Sequence, residues 1–216
     1  MPTERQKERI GKMKDRIEAL LLSTKREGMY ELLSWMDENG FYAMPCSGGN
    51  HLAKEGGLAK HSLNVLGVMQ DMSFLLCNGP ENISKEYQDA IYICSLLHDL
   101  GKCGDYGKPG YVPNMLKGRA TKANPAPEPY QSPSKPFKVN DGLSPVDHEV
   151  RSVKIASKFI ELTEEEELAI LWHNGLYGNF RYQIQGKETP LYILLHFADM
   201  WASRVIEKEK EEPEIE

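Results

Sequence analysis

Side chains of the kinds that bind metals interrupt several apolar stretches of this sequence. The segment SLLHDLGK at 95–102 follows the apolar run AIYIC and places His98 and Asp99 side by side. A buried carboxylate is costly unless it is paired, hydrogen-bonded or bound to a metal. Four more such residues lie in GGLAKHSLNVL, VDHEV, AILWHNG and LLHFADMWAS, namely His61, His148, His173 and Asp199.

Each of these residues is predicted to lie in, or at the end of, one of five helices. Four histidines and two carboxylates that project from five helices into one interior predict a metal site, because coordination makes such burial tolerable. Nitrogen and oxygen ligands without thiolate favour divalent iron, manganese, zinc, cobalt or nickel over calcium or an iron–sulfur cluster.

The spacing of apolar residues predicts an all-α fold. Helical periodicity runs over 4–23, 26–38, 58–77, 84–100 and 144–161, then from Thr163 to the WHNG motif, and from Thr189 past Trp201. Gly101 is expected to end the 84–100 helix in the left-handed conformation. The stretch 176–187 and parts of a long loop are expected to add a small hairpin.

That long loop, residues 102–143, is predicted to be an insertion rich in proline and glycine. Eight of the thirteen prolines lie from Lys102 to Pro145 inclusive, and about 40 residues without periodicity exceed the usual connection between elements. Lysine and arginine outnumber acidic residues in the loop up to residue 138. This charge favours a lid over an anionic substrate, and the alternative is a solvated surface insertion.

Length and composition predict one domain. It comprises N-terminal helices at 1–50, a metal-binding helical core at 51–101 and 144–206, the insertion at 102–143, and a disordered acidic tail at 207–216. The net charge of −6 argues against a general nucleic-acid surface. The four cysteines form no CxxC pair, and neither a signal peptide nor a membrane-spanning stretch is recognisable. The chain is therefore expected to be a soluble, cytoplasmic protein without a membrane partner.

Three ordered motifs, GGLxxHSLxV, LLHDLGK and a late ADxxxS, resemble those of the HD superfamily of metal-dependent phosphohydrolases over about residues 56–205. The resemblance implies an HD-domain helical bundle with one or two central divalent ions, which hydrolyses phosphoesters, often of nucleotides. The two histidines between HD and the last aspartate are similar to those of dinuclear members, such as cyclic-nucleotide phosphodiesterases. No GYP tripeptide follows LLHDLGK, which argues against a cyclic-di-GMP phosphodiesterase of the HD-GYP kind.

The resemblance also implies roles for single residues. One ion is held by His61, His98, Asp99 and Asp199, and a second ion is held by His148, His173 and Asp99 as a bridge. A metal-activated hydroxide then attacks phosphorus. Lys102 resembles in position a lysine that contacts the substrate phosphate, and the alternative is a helix-terminal lysine that interacts with the helix dipole.

The sequence thus predicts hydrolysis of a phosphoester of a nucleotide or a related small phosphorylated metabolite. One alternative is a mononuclear HD nucleotidase, in which His148 and His173 contact phosphate. Another is a non-enzymatic, metal-stabilised module that senses a nucleotide or binds a protein partner. Of the remaining histidines, His196 is assigned to core packing and His51 to an ordinary loop position, while Arg204 is a candidate phosphate contact.

Overall fold

The computed structural model describes residues 3–120 and 126–208. These residues are mainly helical, as the periodicity predicts. The α-helices in chain order are α1 (Glu4–Ser23), α2 (Met29–Glu38), α3 (Gly57–Leu76), α4 (Lys85–Leu97), α5 (His148–Ala156), α6 (Glu164–Trp172), α7 (Arg181–Ile184) and α8 (Pro190–Arg204). The 3₁₀ turns are Pro80–Asn82, Leu100–Cys103, Gly175–Tyr177 and Ile206–Lys208.

Side-chain caps set the starts of three helices that carry candidate ligands. The hydroxyl of Ser84 caps α4, and that of Thr189 caps α8, in which Pro190 is the first residue. Thr163 and Glu166 form a capping box at α6. Such caps satisfy amide groups that a helix start leaves free, so each helix begins at a defined residue.

The helices bury one apolar core. Helix α3 packs against α4 and α8, α6 packs against α8, and α5 packs against the turn Leu100–Cys103. Fully buried side chains from α3, α4 and α8 fill the centre of this core, among them Leu58, Leu66, Ile93, Leu96 and Leu195. The candidate ligands lie at the edge of the core, where the ends of several helices meet.

Gly101 does not act as the predicted left-handed cap. Helix α4 ends at Leu97, the chain continues into the turn Leu100–Cys103, and Gly101 is not among the glycines with positive φ. A Cβ atom at Gly101 would lie 2.1 Å from the carbonyl oxygen of His148. Glycine is therefore needed here because α5 lies directly against the turn, and Ser152 of α5 accepts a hydrogen bond of 2.8 Å from the Gly101 amide.

The described part of the insertion folds into short antiparallel ribbons. Its strands are β1 (Gly104–Asp105), β2 (Lys108–Pro109), β3 (Tyr111–Pro113), β4 (Met115–Leu116), β5 (Tyr130–Gln131) and β6 (Phe137–Val139). They pair as β1 with β2, β3 with β6 and β4 with β5. The expectation of β structure in the long loop is confirmed. The hairpin expected in 176–187 is wrong, because the turn Gly175–Tyr177 and helix α7 occupy that stretch.

Two predicted boundaries also differ from the structure. Helix α5 begins at His148, after Asp147, and not near residue 144. The predicted disordered tail begins too early, because Glu207 and Lys208 belong to the 3₁₀ turn Ile206–Lys208, while 209–216 lie outside the described residues. Among the helices of the described ranges, none is long and apolar enough to cross a membrane.

Candidate metal centre

All six candidate ligands converge, and five helices or helix ends supply them. Three of them form a first ligand group, defined here as His61 of α3, His98 after α4 and Asp199 of α8. The Nε2 atom of His61 lies 3.3 Å from Nε2 of His98 and 3.1 Å from Oδ1 of Asp199. It also lies 3.5 Å from Oδ2 of Asp99.

The second ligand group consists of His148, the first residue of α5, and His173, which directly follows α6. Their Nε2 atoms are 3.3 Å apart. Oδ1 of Asp99 lies 3.1 Å from Nε2 of His148 and 3.6 Å from Nε2 of His173. Asp99 therefore directs Oδ2 toward the first ligand group and Oδ1 toward the second.

Hydrogen bonds behind the rings fix how the histidines face the centre. Nδ1 of His98 donates to the carbonyl oxygen of Ser95 at 3.0 Å, and Nδ1 of His173 donates to that of Ile170 at 2.7 Å. Both carbonyls lie in the last turn of a helix, where no further amide of the helix bonds to them. Since a carbonyl oxygen only accepts, Nδ1 carries the proton, and Nε2 of the neutral ring directs a lone pair inward.

The inward-facing atoms fit a divalent cation. Oδ1 of Asp99 is buried and has no hydrogen-bond partner, although Nε2 of His148 lies 3.1 Å away. Facing lone pairs repel one another unless a proton or a metal ion lies between them. Ligand atoms of His61, His98 and Asp199 lie within 4.8 Å of one another, as do those of His98, Asp99 and His173. Both sets could hold a metal ion.

The two ligand groups differ in protonation. Burial, together with the neighbouring His98 ring, lowers the pKa of His173 to about 3, so this ring is neutral at neutral pH. Burial also disfavours the charged form of His61, but two nearby carboxylates, one of them Asp199, outweigh it and hold the pKa of His61 well above its ordinary value. A metal ion that binds the first ligand group must therefore displace a proton from His61.

Lys102 contacts the central carboxylate. Its Nζ atom lies 2.6 Å from Oδ2 of Asp99, and the turn Leu100–Cys103 keeps the two residues on one face. Burial raises the pKa of Asp99, but Lys102 and His98 outweigh this effect and hold that pKa well below its ordinary value. The ion pair replaces the predicted alternative of a lysine that interacts only with the helix dipole. Contact between Lys102 and a phosphate stays a prediction.

Two residues of the loop before α3, Cys46 and His51, lie beside the centre although their sequence context gives no sign of it. Sγ of Cys46 lies 3.3 Å from Nε2 of His51 and 4.0 Å from Oδ2 of Asp99. Ligand atoms of Cys46, His51 and His61 lie within 4.8 Å of one another, so the expectation of a donor set without sulfur is incomplete. Burial raises the pKa of Cys46 to about 11, which keeps it a thiol. His51 lies in a loop, as predicted, and its ring also contacts Cys46.

Glu207 is the third residue that sequence analysis missed. Its Oε1 atom lies 2.9 Å from Nδ1 of His61, and its side chain is 1% exposed. The acidic composition of the tail predicts a solvated segment, so this composition does not indicate that Glu207 is buried. A signal was nevertheless present, because Ser203 and Glu207 follow Asp199 at intervals of four residues, the spacing that keeps side chains on one helix face.

Two cavities adjoin the ligands. The smaller, of about 160 Å³, is lined by candidate ligands and by His51, Lys102, His196 and Arg204. The larger, of about 530 Å³, lies between the insertion and α5 and shares Lys102 and His148 with the smaller. His196 is only half-buried and bonds through Nδ1 to the His173 carbonyl at 2.7 Å, so its place is the cavity wall. Cavities of about 620 and 790 Å³ elsewhere are lined by none of the six candidate ligands.

Comparison of the chain with protein-family models, with curated proteins and with solved structures gives no match. The chemistry of the centre is therefore interpreted from its own residues. These are imidazole nitrogens and carboxylate oxygens that surround a small cavity, with one ammonium group and one thiol beside them.

Proposed function

We propose that the chain is an HD-type, metal-dependent phosphohydrolase that cleaves a phosphoester of a nucleotide or a related small phosphorylated metabolite. The observation that carries this proposal is the position of Asp99 between two histidine pairs, with one carboxylate oxygen directed at each. A carboxylate in this position suits two divalent transition-metal ions a few ångströms apart, an arrangement typical of enzymes that displace groups at phosphorus.

In this proposal the first ligand group would hold one ion, the second ligand group would hold the other, and Asp99 would serve as a ligand of both. Bound divalent ions supply an activated water and Lewis-acid stabilisation of the phosphoryl oxygens. The fixed Nδ1 protons of His98 and His173 keep both rings directed at the ions. Imidazole nitrogens and carboxylate oxygens favour iron or manganese, and also suit zinc, nickel or cobalt.

The cations of the site support an anionic substrate. Lys102 and Arg204 both line the 160 Å³ cavity, and Lys102 also lines the 530 Å³ cavity. The smaller cavity suits the phosphoryl group, beside the candidate ligands. The larger cavity lies within the usual range of small-molecule sites and suits the organic group of the substrate. Lys102 lies at the junction of the two cavities, and in this proposal its ammonium group would stabilise negative charge on the phosphoryl oxygens.

The proposal is tested by hydrolysis assays on metal-free protein to which manganese, ferrous or zinc ions are returned. We expect phosphate release from a panel of nucleoside monophosphates, or nitrophenol release from bis(p-nitrophenyl) phosphate. Either activity should require the metal and stop on chelation. Replacement Lys102→Met keeps most of the length of the side chain but removes its charge, and should lower kcat about 100-fold. Lys7→Met, on the exposed face of α1, is the matched control and should leave kcat unchanged.

The outcome that contradicts the proposal is folded, metal-loaded protein that hydrolyses none of these compounds. Such a result would favour the metal-stabilised binding module. Hydrolysis with one ion per chain would instead favour the mononuclear nucleotidase.

A further inference from the structure

A carboxylate from the end of the described chain lies behind one of the candidate ligands. Oε1 and Oε2 of Glu207 lie 2.9 and 3.2 Å from Nδ1 of His61. Nδ2 of Asn64 donates to Oε1 of Glu207 at 2.9 Å, and Nε2 of His51 lies 3.7 Å from Oε2. The carboxylate of Glu207 is thus enclosed by groups from α3 and from the loop that precedes it.

His61 needs an outside acceptor because of its place in its helix. His98 and His173 follow the last residues of α4 and α6, so their Nδ1 atoms reach carbonyls of a final helical turn. His61 is the fifth residue of α3, which continues to Leu76. The carbonyl three residues before His61 belongs to Leu58, and it already accepts a hydrogen bond from the Ser62 hydroxyl at 3.1 Å.

The carboxylate of Glu207 accepts a hydrogen bond from Nδ1 of His61, as main-chain carbonyls do from Nδ1 of His98 and His173. A carboxylate only accepts, so one proton of the His61 ring is held at Nδ1, toward Glu207, and Nε2 is the nitrogen that gives up its proton to bind a metal. Nε2 of His61 then faces Asp199, Asp99 and His98. A partner of this kind fixes the tautomer and the orientation of a ring that binds metal.

We propose that Glu207 is a positioning residue for His61, and that the turn Ile206–Lys208 is therefore part of the candidate site. The proposal deepens the proposed function and rests on it for the identity of His61 as a ligand. Helix α8 and the turn after it thus contribute twice, because Asp199 faces Nε2 of His61 while Glu207 holds Nδ1.

Two measurements test the proposal with purified protein of full length. The first is the dissociation constant for Mn²⁺, from the electron paramagnetic resonance signal of the free ion. The second is the tautomer of the His61 ring in metal-free protein, from long-range ¹H–¹⁵N correlation spectra recorded at a pH high enough to leave the ring with a single proton. The variants are Glu207→Ala and Glu207→Gln, and the matched control is Lys208→Ala, which changes an exposed neighbour in the same turn.

Glu207→Ala should raise the dissociation constant for Mn²⁺ about 10- to 100-fold. It should also release the Nδ1 proton, so that the His61 signals no longer show a single Nδ1–H form. Glu207→Gln keeps an oxygen that accepts from Nδ1 and should recover most of the affinity. Lys208→Ala should match the parent protein in both measurements.

An unchanged His61 tautomer in folded Glu207→Ala protein would overturn the proposal, and so would an unchanged Mn²⁺ affinity. If the parent protein binds no Mn²⁺ or other divalent ion, the proposed function fails. The tautomer measurement in metal-free protein would then still decide whether Glu207 positions His61. A purely structural role for Glu207 would lower the melting temperature without changing the tautomer in the protein that remains folded.

Discussion

Asp99 and Asp105 are buried aspartates six residues apart, and their surroundings differ in one respect that separates a candidate functional group from a structural one. Asp105 lies in β1, where both of its oxygens have donors. Lys154 of α5 donates to Oδ2 at 2.5 Å, the amide of Tyr106 donates to Oδ1 at 2.9 Å, and Lys158 lies 3.5 Å from Oδ1. Asp105 therefore anchors the insertion to α5.

Asp99 has a lysine on one oxygen only. Lys102 donates to Oδ2, while Oδ1 lacks a hydrogen-bond partner and faces Nε2 of His148 and of His173. The same short stretch of chain can satisfy a buried carboxylate fully, as Asp105 shows. The arrangement at Asp99 is thus incomplete as a hydrogen-bond network, and its free oxygen lies among groups that could hold a metal ion.

The largest expected effect is that of Asp99→Asn on bound metal. An amide is a weak ligand and carries no charge, so both ligand groups should lose the carboxylate between them. Elemental analysis by mass spectrometry of anaerobically purified protein should show a decrease from about two ions per chain to nearly none. Asp105→Asn is the matched control and should keep the metal. Retention of all metal by Asp99→Asn would remove the distinction between the two aspartates.

The next largest effect distinguishes the two ligand groups of the site. His148→Ala removes a ring that faces only the Oδ1 side of Asp99, so it should remove about one of two ions and leave the first ligand group occupied. The same elemental analysis decides this. If the parent protein holds one ion and His148→Ala still holds it, the second ligand group binds no metal and the mononuclear hypothesis is favoured.

Much of this arrangement could be predicted from the sequence, because local signals carry it. Apolar periodicity and the caps at Thr163 and Thr189 locate the helices, and polar residues within apolar stretches reveal Asp99 and its partners. Asp105 has no such signal, since it lies in a loop whose composition predicts solvent. Its burial depends on lysines about 50 residues later in the chain.

Residues in loops and in the tail could not be found in this way. His51 and Glu207 lie in segments rich in glycine or in charge, where local composition predicts exposure. Their positions depend on tertiary contacts between α3 and the turn after α8. Position 101 must also be glycine for a reason that the local sequence does not show. Helix α5 approaches the backbone there too closely for a Cβ atom, and the glycine does not form a local cap.

A smaller effect is expected on stability, and here the substitution to examine is the one at Asp105. Asp105→Asn removes charged hydrogen bonds to Lys154 and should lower the free energy of unfolding by about 1 to 2 kcal/mol, because the lysine is partly exposed and can be solvated. This corresponds to a decrease in melting temperature of about 2 to 4 °C for each kcal/mol. Differential scanning calorimetry of metal-free protein measures it. A melting temperature equal to that of the parent protein would contradict the anchoring role.

The smallest effect is the dependence of this anchor on pH. Burial raises the pKa of Asp105, but Lys154 and the Tyr106 amide outweigh it and hold the pKa below its ordinary value of 3.8. The unfolded chain therefore takes up this proton at higher pH than the folded protein. The stabilisation by Asp105 should be fully present above about pH 5 and decrease as the pH falls through the lowered value. The measurement is denaturant unfolding of the metal-free parent and Asp105→Asn proteins, whose free energies of unfolding should converge as the pH is lowered. A difference that stays constant to pH 2 would show that the carboxylate charge does not stabilise the anchor.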